Sequence, residues 1–276
     1  MHAIANGNHP LGGLGEAERR ALATLAALER PTVTAADLSP TSAGGHHMAN
    51  LVLSRLARKG WLIRLRRGVY GVVPLASQTA TPVTEDSFAV AMRLFVPCYL
   101  SGWTAAEHWG LTEQVHNAVA VYSAKPQRQS MQVIGGVTYR VRRISVNAIF
   151  STTRFWSRTV PIEIATVHRT LIDILDAPEM GGGGRQAMDI ARAYFNAPVA
   201  DPDELLRLAQ RLGRGVVFKR LGFAAEHFGH VNDAWLRQCR AGLSAGLSLL
   251  DPAGPRHGPT VAGWRLRVNV PMDEAG

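Results

Sequence analysis

Apolar residues first recur at helical spacing at Leu14, Ala17, Ala21, Leu25 and Leu28, in steps of three and four that place them on one helix face. Pro31 interrupts the pattern, and a short second helix is predicted from Thr34 to Leu38 with Thr34 as its N-cap. "TSAGG" supplies a turn. A third helix is predicted over about His46 to Lys59. Its core stripe is Ala49, Val52, Leu53 and Leu56, and His47, Asn50, Ser54 and Arg58 line much of the other side. Gly60 sits where a helix needs a left-handed C-terminal residue. "WLIRL" then alternates, with Trp61, Ile63 and Leu65 on one side and Leu62 and Arg64 on the other. "RRG" reads as a tight turn with Gly68 at positive φ, and "VYGVV" as the return strand. Helix, short helix, helix and two-stranded hairpin is the order of a winged helix-turn-helix.

The pattern changes after "LASQTATPVTED", a Ser/Thr/Pro/Ala stretch that reads as a linker. The expected division is residues 1–75, a linker at 76–84, and a second domain at 85–276. Glu85 to Phe95 reads as a helix. Ser101 is the expected N-cap of another helix, which Gly110 stops. "AVAVYSAK", "MQVIGGVTYRVRRIS" and "VPIEIAT" carry strands, the second with a hairpin turn at Gly135 and Gly136. "TVHRTLIDILD" is a helix, and four more helices follow from "RQAMDIARAYF" to "DAWLRQCRAGL". "LSLLDP" and "GWRLRVNV" close the chain as strands. The fold class is therefore α+β: a winged helix-turn-helix followed by a larger mixed domain with a helical, bundle-like end.

Charge sharpens this picture. The chain is basic, with 30 Lys and Arg against 21 Asp and Glu, which suits an anionic partner. Between Leu38 and Thr84 there are six basic residues and no acidic one. A phosphate-binding surface selects against carboxylates, which repel the ligand at close range. The expected DNA-contacting residues are His47, Asn50, Ser54, Arg55, Arg58 and Lys59 on and just beyond the third helix, and Arg64, Arg66 and Arg67 on the wing. The helix would read base edges in the major groove, and the wing arginines would hold phosphates or enter the minor groove. The plain alternative is a solvated basic hairpin or a protein-docking winged helix. In the second domain Arg140 and Arg142 share one strand face, and Lys219 and Arg220 lie on a helix. These four are a possible partner or DNA surface, and for each alone a solvated face is as good a reading.

No catalytic constellation emerges. Gly181–Gly184 lacks the Gly-Lys-Ser/Thr of a phosphate loop. His227 and His230 lack the Glu and spacing of a zinc protease helix. Asp173 and Asp176 are expected to face solvent or cap a helix. Glu163 has no lysine two residues on, as a nuclease strand would. An enzyme is therefore not expected, nor a metal, nor a cofactor. Cys98 and Cys239 read as reduced core thiols of a cytoplasmic protein. The start of the chain lacks the pattern of a secretory signal, no apolar run spans a membrane, and no membrane association is expected.

Several motifs, taken in order, resemble the AbiEi-type antitoxins of type IV toxin–antitoxin systems. They are "LSRLARKGWLIRLRRGVYGVVP", "YLSGWTAAEHWGLTEQ", "VAVYSAK", "GGVTYRVRRI", "VPIEIATVHRTLIDIL", "KRLGF" and "WRLRVN". The first alone is shared by many winged helices, and the combination is more specific. The resemblance implies a bacterial antitoxin that also represses its own operon. Its N-terminal domain would bind double-stranded promoter DNA at inverted repeats, through Asn50, Ser54, Arg58, Arg64, Arg66 and Arg67. Its C-terminal domain would neutralise, directly or indirectly, a cognate nucleotidyltransferase toxin. "NGNHPLGG", in the first dozen residues, departs from the pattern. Two other readings stand beside this one: a winged-helix regulator whose second domain senses a small ligand, and a nucleic-acid enzyme that uses the winged helix for targeting.

Overall fold

The computed structural model describes residues 12–41, 44–73, 86–229 and 231–272. The expected linker at 76–84, the first eleven residues and His230 lie outside the described residues. By Cα proximity the chain divides into two compact units. The first comprises residues 1–96, 131–139 and 155–162, and the second comprises the remainder.

The first unit opens with a winged helix. Its elements are α1 (Glu16–Ala27), β1 (Val33–Thr34), α2 (Ala35–Leu38), α3 (Gly45–Arg58), β2 (Leu62–Arg66) and β3 (Val69–Val72). Thr34 caps α2 as the sequence predicts: its N–H and hydroxyl donate to Asp37 Oδ2 at 2.7 and 2.8 Å. Strand β1 was not foreseen. It pairs antiparallel with β3, Val33 opposite Tyr70, so the sheet runs β1-β3-β2. Gly60 (φ 83°) ends α3 and Gly68 (φ 74°) makes the wing turn, both in the left-handed region. Leu22, Leu25, Leu38, Ala49, Leu53, Leu56, Leu62 and Tyr70 form a buried core. Each fully buried Leu contributes roughly 1.5–3 kcal/mol. The expected alternation of β2 does not hold throughout: Leu62 and Leu65, predicted on opposite sides, are both buried, while Arg64, predicted beside Leu62, is exposed, and Leu62 joins this core. A register shift between Arg64 and Arg66 then turns the strand.

The chain continues through α4 (Ser87–Leu94), β4 (Cys98–Leu100), α5 (Gly102–His108), β5 (Ala118–Ser123), β6 (Met131–Ile134), β7 (Val137–Arg143), β8 (Thr152–Ser157) and β9 (Val160–Ala165). Hydrogen-bonded strands follow the order β6-β7-β5-β4-β9-β8. Strand β4 is antiparallel to β5 and parallel to β9. Helices α6 (Val167–Asp176), α7 (Gly184–Asn196), α8 (Pro202–Leu212), α9 (Gly215–Phe228) and α10 (Asp233–Ala241) follow. The last strands are β10 (Ser248–Leu249), β11 (Thr260–Val261) and β12 (Leu266–Arg267), in the order β10-β12-β11. Leu171, Ile174, Leu175, Ile190, Leu205 and Leu221 lie in the core of the second unit. The fold is thus α+β, with an N-terminal winged helix and a larger C-terminal part. Strands β4, β8 and β11 escaped the sequence reading, which saw only a proline break and irregular chain there.

Candidate nucleic-acid interface

Helix α3 has one face that the core leaves open. Ala49, Leu53 and Leu56 are fully buried, while His46, His47, Met48, Leu51, Ser54, Arg55 and Arg58 are exposed. Residues 47, 51, 54 and 58 follow one another by three or four and form a single stripe. The open face mixes polar and basic groups with two apolar ones, Leu51 in the stripe and Met48 beside it, at 39% and 41% exposure. Apolar groups on such a helix can meet the methyl of thymine, and Arg and Ser can meet acceptors on base edges. The sequence reading missed Met48 and Leu51. The available signal was their offset from the Ala49–Leu53–Leu56 register.

The other expected contact residues divide by what already holds them. Arg64 and Arg67 are exposed on the wing. Asn50 is half-buried, and its amide nitrogen donates to the His46 carbonyl at 3.1 Å. Ser54 lies 3.3 Å from the Tyr70 hydroxyl, so the third helix and the wing are tied by side chains as well as by the core.

Two of the expected DNA-contacting residues are used within the unit. Lys59 is half-buried, pairs with Glu18 and donates to the Gly13 carbonyl at 2.9 Å. Its hydrogen bond holds the Glu18 carboxyl below the usual range. Arg66 donates to the Leu94 carbonyl at 3.2 Å and to Gln132 Oε1 at 3.1 Å, and its guanidinium lies 5.5 Å from the centre of the Phe95 ring. The bulge in β2 is what turns Arg66 away from its exposed neighbours. Lys59 and Arg66 therefore act as internal fasteners in this structure, where the sequence reading put both on DNA.

The cations expected on a surface of the second unit are placed quite differently. Lys219 is fully buried and Arg220 is 2% exposed. Lys219 Nζ donates to the Gly246 carbonyl at 2.8 Å and to Ser248 Oγ at 3.0 Å. Arg220 donates to the carbonyls of Leu175 and Leu249, both at 2.8 Å or less. Burial lowers both pKa values, that of Arg220 to about 10. Neither residue presents a surface to a partner. The reason is local: α9 faces the core with this side, and the carbonyls of the turn before β10 need donors. Arg142 is half-buried and pairs with Asp176 and Glu179 at 2.9 Å. Arg140 is half-buried, with its guanidinium 5.9 Å from the Trp103 ring centre.

The remaining motifs also resolve into packing. Asp173, expected at the surface, is 2% exposed. It accepts hydrogen bonds from Tyr99, Ser101 and Arg169 at 3.0, 2.8 and 2.8 Å. Burial pushes its carboxyl up, and Arg169 opposes that shift. The Tyr99-Leu-Ser101 and Arg169-x-x-x-Asp173 motifs thus meet as one buried network. Gly222 in "KRLGF" is the seat of Trp264 from "WRLRVN": a Cβ there would lie 2.1 Å from the indole ring. Among the described residues no group of three or more His, Cys, Asp or Glu is gathered so as to hold a metal. No helix among them is long and apolar enough to cross a membrane.

The family model described as "Transcriptional regulator, AbiEi antitoxin" matches residues 20–73, which run from α1 to the end of the wing. No curated protein matches the chain. The open face of α3 and the exposed wing arginines lie within the matched segment, so it is this part of the chain that is similar to the AbiEi antitoxin family of transcriptional regulators.

Proposed function

We propose that the protein is the antitoxin of a type IV toxin–antitoxin system and represses its own operon. The winged helix binds inverted repeats in the promoter. The second domain counteracts a nucleotidyltransferase toxin encoded beside it. The observation that carries the DNA reading is the open stripe of α3 beside exposed Arg64 and Arg67, in a segment of 47 residues with no carboxylate. Arginine suits phosphate because its planar fork takes two oxygens at once. The family match supports the regulatory and antitoxin roles. Inverted repeats call for two copies of the module on related half-sites, with the α3 helices in successive major grooves.

Two readouts from one full-length variant test the division of labour. Arg58→Ala combined with Arg67→Ala is expected to derepress a reporter driven by the native promoter. The same variant, co-expressed with the product of the adjacent gene, is expected to protect growth as the wild type does. Loss of protection in parallel with loss of repression would place both tasks on the winged helix and overturn the proposal.

A further inference from the structure

The open face of α3 has an apolar centre. Leu51 is the seventh of the fourteen residues of the helix. The residues three and four positions to either side of it are His47, Met48, Ser54 and Arg55, and all four are exposed. Leu51 and Met48 are three residues apart, so their side chains are neighbours on this face. The core of the unit takes the opposite face, through Ala49, Leu53 and Leu56.

The polar side chains best suited to reading bases on this helix are partly spent. The Asn50 amide donates to the His46 carbonyl, one turn back in the same helix. Ser54 is bonded to the Tyr70 hydroxyl of the wing. Arg55 and Arg58 belong to the last turn of the helix. The middle of the face therefore falls to Leu51.

A lone exposed leucine needs no explanation, since such residues are common on protein surfaces. Leu51 differs in its surroundings. It adjoins Met48, and polar and basic groups ring the pair, in a segment from Leu38 to Thr84 with six basic residues and no acidic one. An apolar centre with a cationic rim suits a ligand with an apolar centre and an anionic rim. The major groove of a DNA duplex is such a ligand. Phosphates line its walls, and thymine alone among its base edges carries a methyl group. A protein partner fits less well. Two side chains at 41% and 39% exposure offer far less than the roughly 1,000 Å² of a stable protein interface.

We propose that Leu51, flanked by Met48, reads the methyl group of a thymine in the operator and so sets the sequence preference of the winged helix. The inference rests on the winged helix binding operator DNA. Fluorescence anisotropy tests it, with the full-length chain and a labelled duplex from upstream of its own coding sequence. Each thymine of the duplex is replaced in turn by deoxyuridine, which removes one methyl group and leaves pairing and charge intact. The wild type is expected to bind about fourfold more weakly when the thymine that Leu51 meets is replaced. Leu51→Ala keeps a strong helix former at an exposed site. It is expected to bind the thymine and deoxyuridine duplexes alike at that position, and its unchanged salt slope would report intact phosphate contacts. Arg67→Ala serves as the wing control, with a lower slope and the thymine preference retained. If the wild type binds every deoxyuridine duplex as well as the parent, or if Leu51→Ala keeps the preference, operator binding stands and the inference is overturned. If the wild type does not bind the parent duplex, both fall. If Leu51→Ala keeps the preference but no longer protects cells from the adjacent gene product, the patch belongs to a protein partner and the inference is likewise overturned.

Discussion

The winged helix and the second unit are both rich in basic side chains, and they use them in opposite ways. On α3 and the wing, Arg55, Arg58, Arg64 and Arg67 stand in solvent. In the second unit, Arg169, Lys219 and Arg220 are at most 2% exposed and donate to carbonyls, hydroxyls and one carboxylate. A basic sequence is therefore not a basic surface. What separates the cases is the competition each cation faces. Buried backbone carbonyls require donors, and a long cationic side chain passing nearby is recruited to them. An exposed helix face offers no such acceptors, so its cations remain available to a ligand.

Breaking the buried network should have the largest effect. Asp173→Ala leaves the Arg169 guanidinium buried without its carboxylate, and roughly 3–5 kcal/mol of stability should be lost in urea denaturation. A loss within 0.5 kcal/mol would mean the network is no more than a solvated ion pair. Gly222→Ala comes next. Its methyl would overlap the buried Trp264 ring, and overpacking of this kind costs about 1–3 kcal/mol. A midpoint equal to wild type would show that Trp264 is free to move.

The sharpest contrast pairs two cations. Lys219→Ala removes the donor to Gly246 and Ser248 and should cost about 1–3 kcal/mol. Arg67→Ala should change stability by less than about 0.5 kcal/mol yet lower the salt slope of DNA binding by about 0.9. Equal effects of the two on either measurement would erase the distinction between the regions. Arg66 is a finer probe, since it lies one residue from Arg67 but is held by Leu94 and Gln132. Arg66→Ala should cost stability and move the slope less than Arg67→Ala does. The smallest effect concerns the thiols. Cys98 and Cys239 are buried and pushed up to about 12, so neither should react with a disulfide reagent at neutral pH until the chain unfolds.

The winged helix was legible because local rules agree there. Thr34 has its capping partner at Asp37, Gly60 and Gly68 sit where positive φ is needed, and the α3 core stripe is regular. Strands β4 and β8 were not legible, because three to six residues beside a proline or within irregular chain carry no decisive period. The fates of Lys59, Arg66, Lys219 and Arg220 were not legible either. Their partners are carbonyls or side chains from 27 to 66 residues away in the chain, and no local pattern announces such pairings. Asp173 was misplaced for the same reason, since Tyr99 and Ser101 reach it from a distant strand.

The most direct measurement is the salt dependence of binding to the promoter duplex, for the full-length wild type and for the chain with Arg58, Arg64 and Arg67 all replaced by alanine. If these three exposed arginines hold phosphates, the slope of log affinity against log salt falls by roughly 2.7, about 0.9 for each contact. Parallel lines for the two proteins would contradict the assignment of α3 and the wing as the DNA-binding face.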